Sequence, residues 1–114
     1  MANRETATLA ITGVRKSAQI LGMAMQKQQL LEDSRCIEKR NAIQRIMQSE
    51  NPLTGKQHSA SSAEAVVETD DLYRKYRTVQ SDAVLEVQTA WGEFYAARLE
   101  AELEVALIRE AVAA

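Results

Sequence analysis

Apolar residues in the last third of the chain recur at alternating spacings of three and four positions. Between residues 84 and 112 only Arg98 interrupts this row, and the span 71–112 contains one glycine and no proline. A period of about 3.5 residues that persists over several heptads is typical of a long helix packed against other helices. It predicts a helix over 71–112 with a core or oligomer seam made of Val84, Val87, Trp91, Phe94, Ala101, Val105 and Ile108.

The first part of the chain has a similar but shorter apolar row. It keeps one face of a helix apolar from Ile11 to Met25 and continues less regularly to Met47. These spacings predict a first helix over 4–48. Gly13 and Gly22 each cost roughly 1 kcal/mol relative to alanine inside a helix. They leave open whether the helix is continuous, bends, or allows a close contact at these positions.

The connection between the two long helices is predicted from turn and capping residues. Asn51-Pro52 ends the first helix, because proline disfavours the α conformation in the residue before it, and Gly55 marks a turn. Ser61 and Glu64 have the spacing of a capping box. We therefore expect a loop over 49–60, a short helix over 61–68, and a single helical domain over 1–114.

The composition favours a helical fold. Aromatic residues make up 4% of the chain, and its four glycines and one proline supply too few turns for a compact β-domain. Leu99, Leu103 and Leu107 form a second apolar row, which makes the stripe wider than a two-helix seam. We therefore expect an all-α fold: a long antiparallel helical hairpin with a short helix at the connection, completing a bundle by oligomerisation.

Charge is distributed unevenly along the chain, although the net charge is only −2. Residues 1–50 carry eight basic and five acidic side chains, whereas residues 71–114 carry five basic and eight acidic ones. The simpler interpretation is attraction between these segments, within one chain or between subunits. The alternative is a nucleic-acid-binding accessory protein that uses the basic first helix and the 51–59 loop, with contacts from Lys39, Arg40 and Arg45.

The stretch NPLTGKQHS at residues 51–59 contains Gly-Lys, the pair found in phosphate-binding loops. The glycine that such a loop requires five positions earlier is Glu50, and the residue after Lys56 is neither serine nor threonine. A P-loop is therefore excluded. The stretch is instead predicted to be an exposed contact tip, in which Lys56, His58 and Ser59 either hold an anion ahead of the short helix or are solvated.

Catalytic, metal and membrane functions have few candidate residues. One histidine and one cysteine, Cys36, exclude a disulfide framework and the familiar zinc patterns. We expect no enzymatic activity, no cofactor and no metal. No apolar run approaches the ~20 residues of a membrane span, and the N-terminus lacks the apolar core of a signal peptide. We therefore expect a soluble, intracellular protein that does not contact a membrane.

The pattern NPLTGKQHSASSAE, followed by an acidic pair and Tyr73, resembles small helical proteins encoded in bacteriophage and prophage genomes. The resemblance covers about residues 50–76 and implies a phage accessory or virion-associated protein, located in the host cytoplasm or the virion. With the helical pattern, it predicts a non-enzymatic protein that acts through protein–protein interaction. Its partner would be itself, as a homo-oligomer, or another protein, as a virion component or an inhibitor docking on a host protein.

Overall fold

The computed structural model describes residues 3–113 of the chain. Within that range the regular elements are helical, which confirms the predicted all-α class. An isolated antiparallel bridge joins Glu50 and Gln57 in the connecting loop. The helices in chain order are α1 (Arg4–Asp33), α2 (Arg35–Met47), α3 (Ala60–Ala65) and α4 (Asp71–Ala113), with a 3₁₀ turn at Val67–Thr69 between α3 and α4.

The first helix, expected over 4–48, is divided at Ser34 into α1 and α2. Just before the break, Ser34 N still donates to the Leu30 carbonyl at 3.1 Å, as in a regular helix. The next carbonyl, that of Leu31, accepts from the hydroxyls of Ser34 and Tyr76. A side chain inserted into the i→i−4 series of bonds is an established cause of a kink. A tyrosine distant in sequence therefore sets the end of α1.

The helix α1 runs through both of its glycines without interruption. A Cβ atom built on Gly13 or Gly22 meets no heavy atom within 4 Å. No close approach by the described residues therefore requires glycine at either position. Both residues weaken the helix relative to alanine.

The chain divides into two compact units. Unit 1 consists of the residues up to Lys27 together with those from Val84 onward, and unit 2 is Gln28–Ala83. The helices α1 and α4 each contribute residues to both units. The boundaries between the units therefore fall inside α1 and α4, away from the helix ends.

Unit 1 has a core of small and aliphatic side chains from α1 and α4. Its buried cluster brings Leu21 and Ala24 against Ala90, with Val87 and Phe94 packed on it. Alanine at such positions allows two helices to approach closely, and each buried group contributes in proportion to the apolar area removed from water. The core of this unit therefore buries little apolar area, because two of its three buried residues are alanines.

Two polar pairs connect α1 with α4 in unit 1. Thr6 Oγ1 donates to Glu104 Oε2 at 3.0 Å, and Lys27 Nζ donates to Glu86 Oε1 at 2.9 Å. Thr6, near the start of α1, therefore bonds to a residue in the last part of α4, whereas Lys27, near the end of α1, bonds to a residue in the first half of α4.

Unit 2 has a more completely buried core, centred on Tyr73, which is 1% exposed. The rings of Tyr73 and Tyr76 stack at a centroid distance of 6.2 Å and an interplanar angle of 26°. Helix α2, helix α3 and the 3₁₀ turn surround them. The buried cluster comprises Ala42, Ile46, Ala63, Val67 and Tyr73, with Ile43, Met47, Val66 and Tyr76 packed against it.

Capping side chains set where α3 and α4 begin. Ser59 Oγ accepts a hydrogen bond from Ser62 N at 3.2 Å, so Ser59 caps α3 in place of the expected Ser61. Asp70 Oδ2 accepts from Tyr73 N at 2.8 Å, which caps α4. Both are local interactions that satisfy otherwise free N–H groups of the first helical turn.

Candidate interaction surface

Large apolar side chains of α4 form one continuous exposed row in unit 1. They occur at every fourth residue and are exposed over 41% to 60% of their surface: Trp91, Tyr95, Leu99, Leu103 and Leu107. We call this row the α4 ridge. Residues four apart lie side by side on a helix, and such ridges are the features through which helices commonly pack. A contiguous exposed apolar surface marks an interaction site, whereas scattered apolar residues do not.

A groove of about 440 Å³ lies between α1 and α4 of unit 1. Ala106 belongs to this groove and follows Leu103 of the α4 ridge by three residues, so the groove borders the ridge. We call it the α1–α4 groove. Its apolar lining consists of Ile11, Val14, Ala101, Val105 and Ala106.

The apolar row predicted on α1 is only partly buried in the structure. Leu21 is buried in unit 1, whereas Ile11, Ala18 and Met25 are exposed. Ile11 lines the α1–α4 groove. Because Ala18 and Met25 follow it at intervals of seven residues, they lie on the same side of the helix. The uncovered part of the row therefore extends the apolar surface of the groove along α1.

Charges of both signs lie along the same part of α4. Arg98, Glu102 and Arg109 line the α1–α4 groove, and Glu110 is exposed next to Arg109. Arg98 Nε donates to Glu102 Oε1 at 3.2 Å, and both side chains are more than half exposed. Such an exposed pair contributes little to folding. Both charged groups therefore remain largely in contact with solvent.

The structure places the predicted seam residues at different depths. Trp91 is 45% exposed, whereas its neighbour Ala90 is buried. The indole ring of Trp91 meets the Phe94 ring edge-on, with centroids 5.9 Å apart. At this level the inward side of α4 therefore passes through Ala90. The half-buried seam residues are Val84, Val87, Phe94, Ala101, Val105 and Ile108.

Buried alanines are core positions that sequence reasoning missed. Ala83 and Ala90 are buried and Ala97 is half-buried, and the three are seven residues apart along α4. Their heptad spacing was a usable signal. This spacing was missed because the apolar row was assigned from the large side chains, and the neighbouring alanines were left out of it.

Two of the three basic residues predicted to contact nucleic acid are bonded to carboxylates in unit 2. Arg45 donates from Nε and Nη2 to the two oxygens of Asp70, at 3.1 and 2.7 Å. Lys39 Nζ lies 3.5 Å from Glu64 Oε1, and Arg40 is exposed. The hydrogen bonds from Arg45 lower the pKa of Asp70 against the opposing effect of burial, and Asp70 raises the pKa of Arg45.

The first part of the predicted contact tip is a closed loop held by Asn51. Asn51 N donates to the Lys56 carbonyl at 2.6 Å, and the Asn51 carbonyl accepts from Gly55 N at 2.8 Å. Gly55 has a φ of +68°, which glycine adopts without steric cost. This loop exposes the side chain of Lys56 and 92% of Leu53. Sequence reasoning did not single out Leu53 as an exposed apolar residue.

The other two predicted tip residues interact with the start of α3. His58 Nδ1 lies 2.8 Å from Ser62 Oγ, and Ser59 supplies the cap described above. Among the described residues, no hydrogen bond joins the side chains of Lys56, His58 and Ser59 to one another. Each has a separate local environment.

Other functional features are few over residues 3–113. In that range no group of three or more His, Cys, Asp or Glu side chains is arranged to hold a metal ion. Cys36 is a free, exposed thiol. None of the helices described combines the length and apolar character needed to cross a membrane.

Comparisons of the chain with models of protein families, with curated proteins and with solved structures gave no match. The case for a function therefore rests on the α4 ridge and the α1–α4 groove.

Proposed function

We propose that the protein is a non-enzymatic, helical protein–protein interaction protein. In this proposal α1 and α4 form an antiparallel hairpin, and unit 1 binds helices of another subunit. The observation that supports it is the α4 ridge, in which five large apolar side chains remain exposed in an unbroken row. The α1–α4 groove beside it extends the same apolar surface onto α1.

The size of the ridge indicates what kind of partner it needs. Complete burial of a large apolar side chain contributes about 1.5–3 kcal/mol, and the ridge residues are already about half-buried. Covering the five of them therefore supplies several kcal/mol, which is comparable with the lower estimates for the cost of association. A partner that contributes no apolar surface of its own would bind weakly, so the partner must also bury apolar side chains.

A second pair of helices meets this requirement. Two helices laid over the α4 ridge and the α1–α4 groove would complete a four-helix bundle, the usual way in which such stripes are covered. The resemblance of residues 50–76 to phage-encoded helical proteins suggests a setting for this interaction. It would belong to a virion component or to an inhibitor that docks on a host protein.

The proposal is tested with glutamate substitutions on the ridge. Leu99→Glu and Leu103→Glu should abolish association, because a charge within an apolar contact is strongly unfavourable. Leu9→Glu is the matched control: Leu9 is also in unit 1 and is 66% exposed, but it lines a different groove together with Ala97. Circular dichroism should show that all three variants remain helical.

Two measurements detect association. Sedimentation equilibrium at micromolar concentration reports self-association, and cross-linking in host lysate reports capture of other proteins. The proposed function requires a mass above 12.7 kDa or a captured protein, in either case lost in the ridge variants and retained in Leu9→Glu. A chain that sediments as a monomer and captures nothing in a ridge-dependent way would refute it.

A further inference from the structure

We infer that the α1–α4 groove binds a small amphiphilic carboxylate of the fatty-acid class, a molecule with an alkyl chain and an anionic head. The alkyl chain lies on the apolar lining of the groove, and the carboxylate bonds to the guanidinium of Arg109. This inference goes beyond the proposed function, because it assigns a small ligand to the groove and leaves the α4 ridge as the contact with another protein.

The groove has the size and the lining of a site for a small apolar molecule. Its volume of about 440 Å³ lies within the range of about 300–1,000 Å³ that is typical of ligand pockets. Its apolar lining is aliphatic throughout: Ile11, Val14, Ala101, Val105 and Ala106. Such a surface offers an alkyl chain many dispersion contacts, and removing both apolar surfaces from water favours binding.

Arginines stand at both ends of the groove along α4. Arg98 and Arg109 are the first and last α4 residues of the lining, and their separation of eleven positions corresponds to about 16 Å along the helix. Glu102 accepts a hydrogen bond from Arg98 Nε at 3.2 Å and balances its charge. Within the part of the chain that the structure describes, no carboxylate forms an ion pair with Arg109. The groove therefore has an unbalanced positive charge at its Arg109 end.

A guanidinium next to an apolar surface selects a ligand with both kinds of group. Its planar fork of N–H donors pairs with a carboxylate through two parallel hydrogen bonds, as Arg45 pairs with Asp70 in unit 2. One guanidinium balances the single charge of a carboxylate, whereas a phosphate monoester carries nearly two charges at neutral pH. The groove therefore fits an alkyl carboxylate better than a hydrocarbon without charge or an anion without an alkyl chain.

A second groove of unit 1 carries the opposite charge. It has a volume of about 290 Å³ and is lined by Glu100 and Glu104 of α4, and its lining among the described residues includes no basic side chain. An anionic head would be repelled by these carboxylates. Both grooves are formed by α1 and α4, so the sign of the charge predicts which of them an alkyl carboxylate occupies.

The inference is tested by titrating the full chain at pH 7 with decanoate below its critical micelle concentration. Two-dimensional NMR spectra should show the largest shifts at groove residues such as Val14 and Val105, and smaller shifts at Leu9 of the second groove. Decyltrimethylammonium has an alkyl chain of the same length and a positive head, and it should bind about tenfold more weakly or less. Equal affinity for the two amphiphiles, or shifts concentrated on the α4 ridge, would overturn the inference.

The contact with the anionic head is tested at Arg109, whose side chain is exposed. Arg109→Gln should weaken decanoate binding about tenfold or more, because it removes charge-assisted hydrogen bonds, and Arg109→Lys should recover part of the affinity through its charge. Lys16→Gln removes the same charge from an exposed α1 residue outside the groove, so its dissociation constant should equal that of the wild type. The inference fails if Arg109→Gln binds decanoate as tightly as the wild type.

The contact with the alkyl chain is tested at Ala106, an exposed residue of the lining. Ala106→Glu puts a carboxylate on the apolar surface, so decanoate binding should be lost. Ala96→Glu is the matched control, because Ala96 is an exposed alanine of α4 in unit 1 that does not line the groove. Circular dichroism should show that both variants remain helical. Undiminished binding by Ala106→Glu would place decanoate elsewhere and overturn the inference.

These outcomes separate the inference from the proposed function. A chain that associates through the α4 ridge but binds no decanoate overturns the inference and leaves the proposed function standing. A chain that binds decanoate in the groove, sediments as a monomer and captures no protein supports the inference and refutes the proposed function.

Discussion

The guanidinium of Arg45 on α2 and the carboxylate of Asp70 ahead of α4 form a two-point ion pair, with Nε–Oδ1 at 3.1 Å and Nη2–Oδ2 at 2.7 Å. Asp70 Oδ2 also accepts the backbone N–H of Tyr73 at 2.8 Å. One carboxylate therefore both caps α4 and attaches α2 to its first turn. Because the donors favour the ionised form, the Arg45 bonds above all, the pKa of Asp70 is lowered.

Removing this carboxylate should destabilise unit 2. Asp70→Ala loses the cap and leaves Arg45 without its partner, so we expect the free energy of unfolding at pH 7 to fall by about 1–3 kcal/mol. Asp70→Asn keeps a side chain that can cap a helix and loses only the charge, so its cost should be smaller. Urea unfolding of both variants measures the difference. Equal costs would show that the cap contributes nothing.

The contribution of the Asp70 charge should depend on pH. Its pKa is lower in the folded chain than the value of about 3.9 for an unperturbed aspartate. The stabilisation is therefore present above that unfolded value and is lost as the pH falls through the folded pKa. The difference in stability between the wild type and Asp70→Asn should be constant near neutral pH and shrink below about pH 4. A difference that does not change in acid would contradict the assigned role.

Tyr76→Phe should make the backbone hydrogen bonding between α1 and α2 more continuous. The Tyr76 hydroxyl donates to the Leu31 carbonyl and lies 3.2 Å from Ser34 Oγ. Without it, the Leu31 carbonyl is free to accept from Arg35 N, as it would in a regular helix. We expect the amide proton of Arg35 to exchange more slowly in NMR hydrogen exchange. Stability should change by about 1 kcal/mol, the net value of one hydrogen bond.

Ser34→Ala is the control for this prediction. It removes the second hydroxyl on Leu31, which donates at 3.2 Å, and leaves Tyr76 in place. The amide exchange of Arg35 should therefore change less than in Tyr76→Phe. If the exchange of Arg35 is the same in Tyr76→Phe as in the wild type, the tyrosine does not cause the break.

Truncation of aromatic residues should cost more in unit 2 than in unit 1. Tyr73 is 1% exposed, and emptying its site should cost about 3–5 kcal/mol. Trp91 is half exposed and packs edge-on against Phe94, so Trp91→Ala should cost about 1–2 kcal/mol at concentrations where the chain is monomeric. Urea unfolding at low protein concentration tests this order. Equal costs would contradict the different burial of the two rings.

Glycine substitutions should have opposite effects in the loop and in α1. Gly55 has a φ of +68°, so Gly55→Ala should destabilise the chain by about 1–2 kcal/mol. At Gly22 the conformation is helical and a Cβ meets nothing within 4 Å, so Gly22→Ala should stabilise it by up to about 1 kcal/mol. Thermal unfolding measures both changes. A destabilising Gly22→Ala would indicate a contact made by another subunit.

Nucleic-acid binding should be weak or absent. Lys39 and Arg45 are paired with Glu64 and Asp70, so a phosphate would have to compete with carboxylates already in place. We expect no binding of duplex DNA or RNA at physiological salt. Titrations over a salt series measure it, with Lys39→Ala, Arg40→Ala and Lys56→Ala as comparisons. Strong binding with a steep salt dependence that falls in these variants would favour the nucleic-acid alternative.

The helices were predictable because their signals are local. The apolar period and the absence of glycine and proline predicted a helix over 71–112, and α4 spans Asp71–Ala113. The stop at Asn51-Pro52 and the turn at Gly55 were also readable, since they depend on residues next to each other. The capping site was displaced from Ser61 to Ser59, because several serines in a row offer equivalent local caps and the sequence does not rank them.

The α4 ridge was predictable only in part. Leu99, Leu103 and Leu107 stand out in the sequence as a row that widens the apolar stripe. The extension of that row to Trp91 and Tyr95 is not evident from the sequence, because Trp91 also fits the predicted seam, seven residues after Val84. Which of two adjacent residues turns inward depends on what faces it, and here the inward position is taken by Ala90, whose small side chain packs with Leu21 and Ala24 of α1.

The sequence by itself determined the all-α class, the position of the long fourth helix and the turn between the two halves of the chain, since these follow from backbone preferences and helical periodicity over a few neighbouring residues. The tertiary structure alone decided the break at Ser34, the pairing of Arg45 with Asp70 and the exposure of the α4 ridge. The break and the pairing join residues that are 42 and 25 positions apart, and the exposure reflects which side of α4 the α1 helix covers. Contacts between distant residues leave no period in the sequence, so only the folded chain shows which groups meet and which stay uncovered.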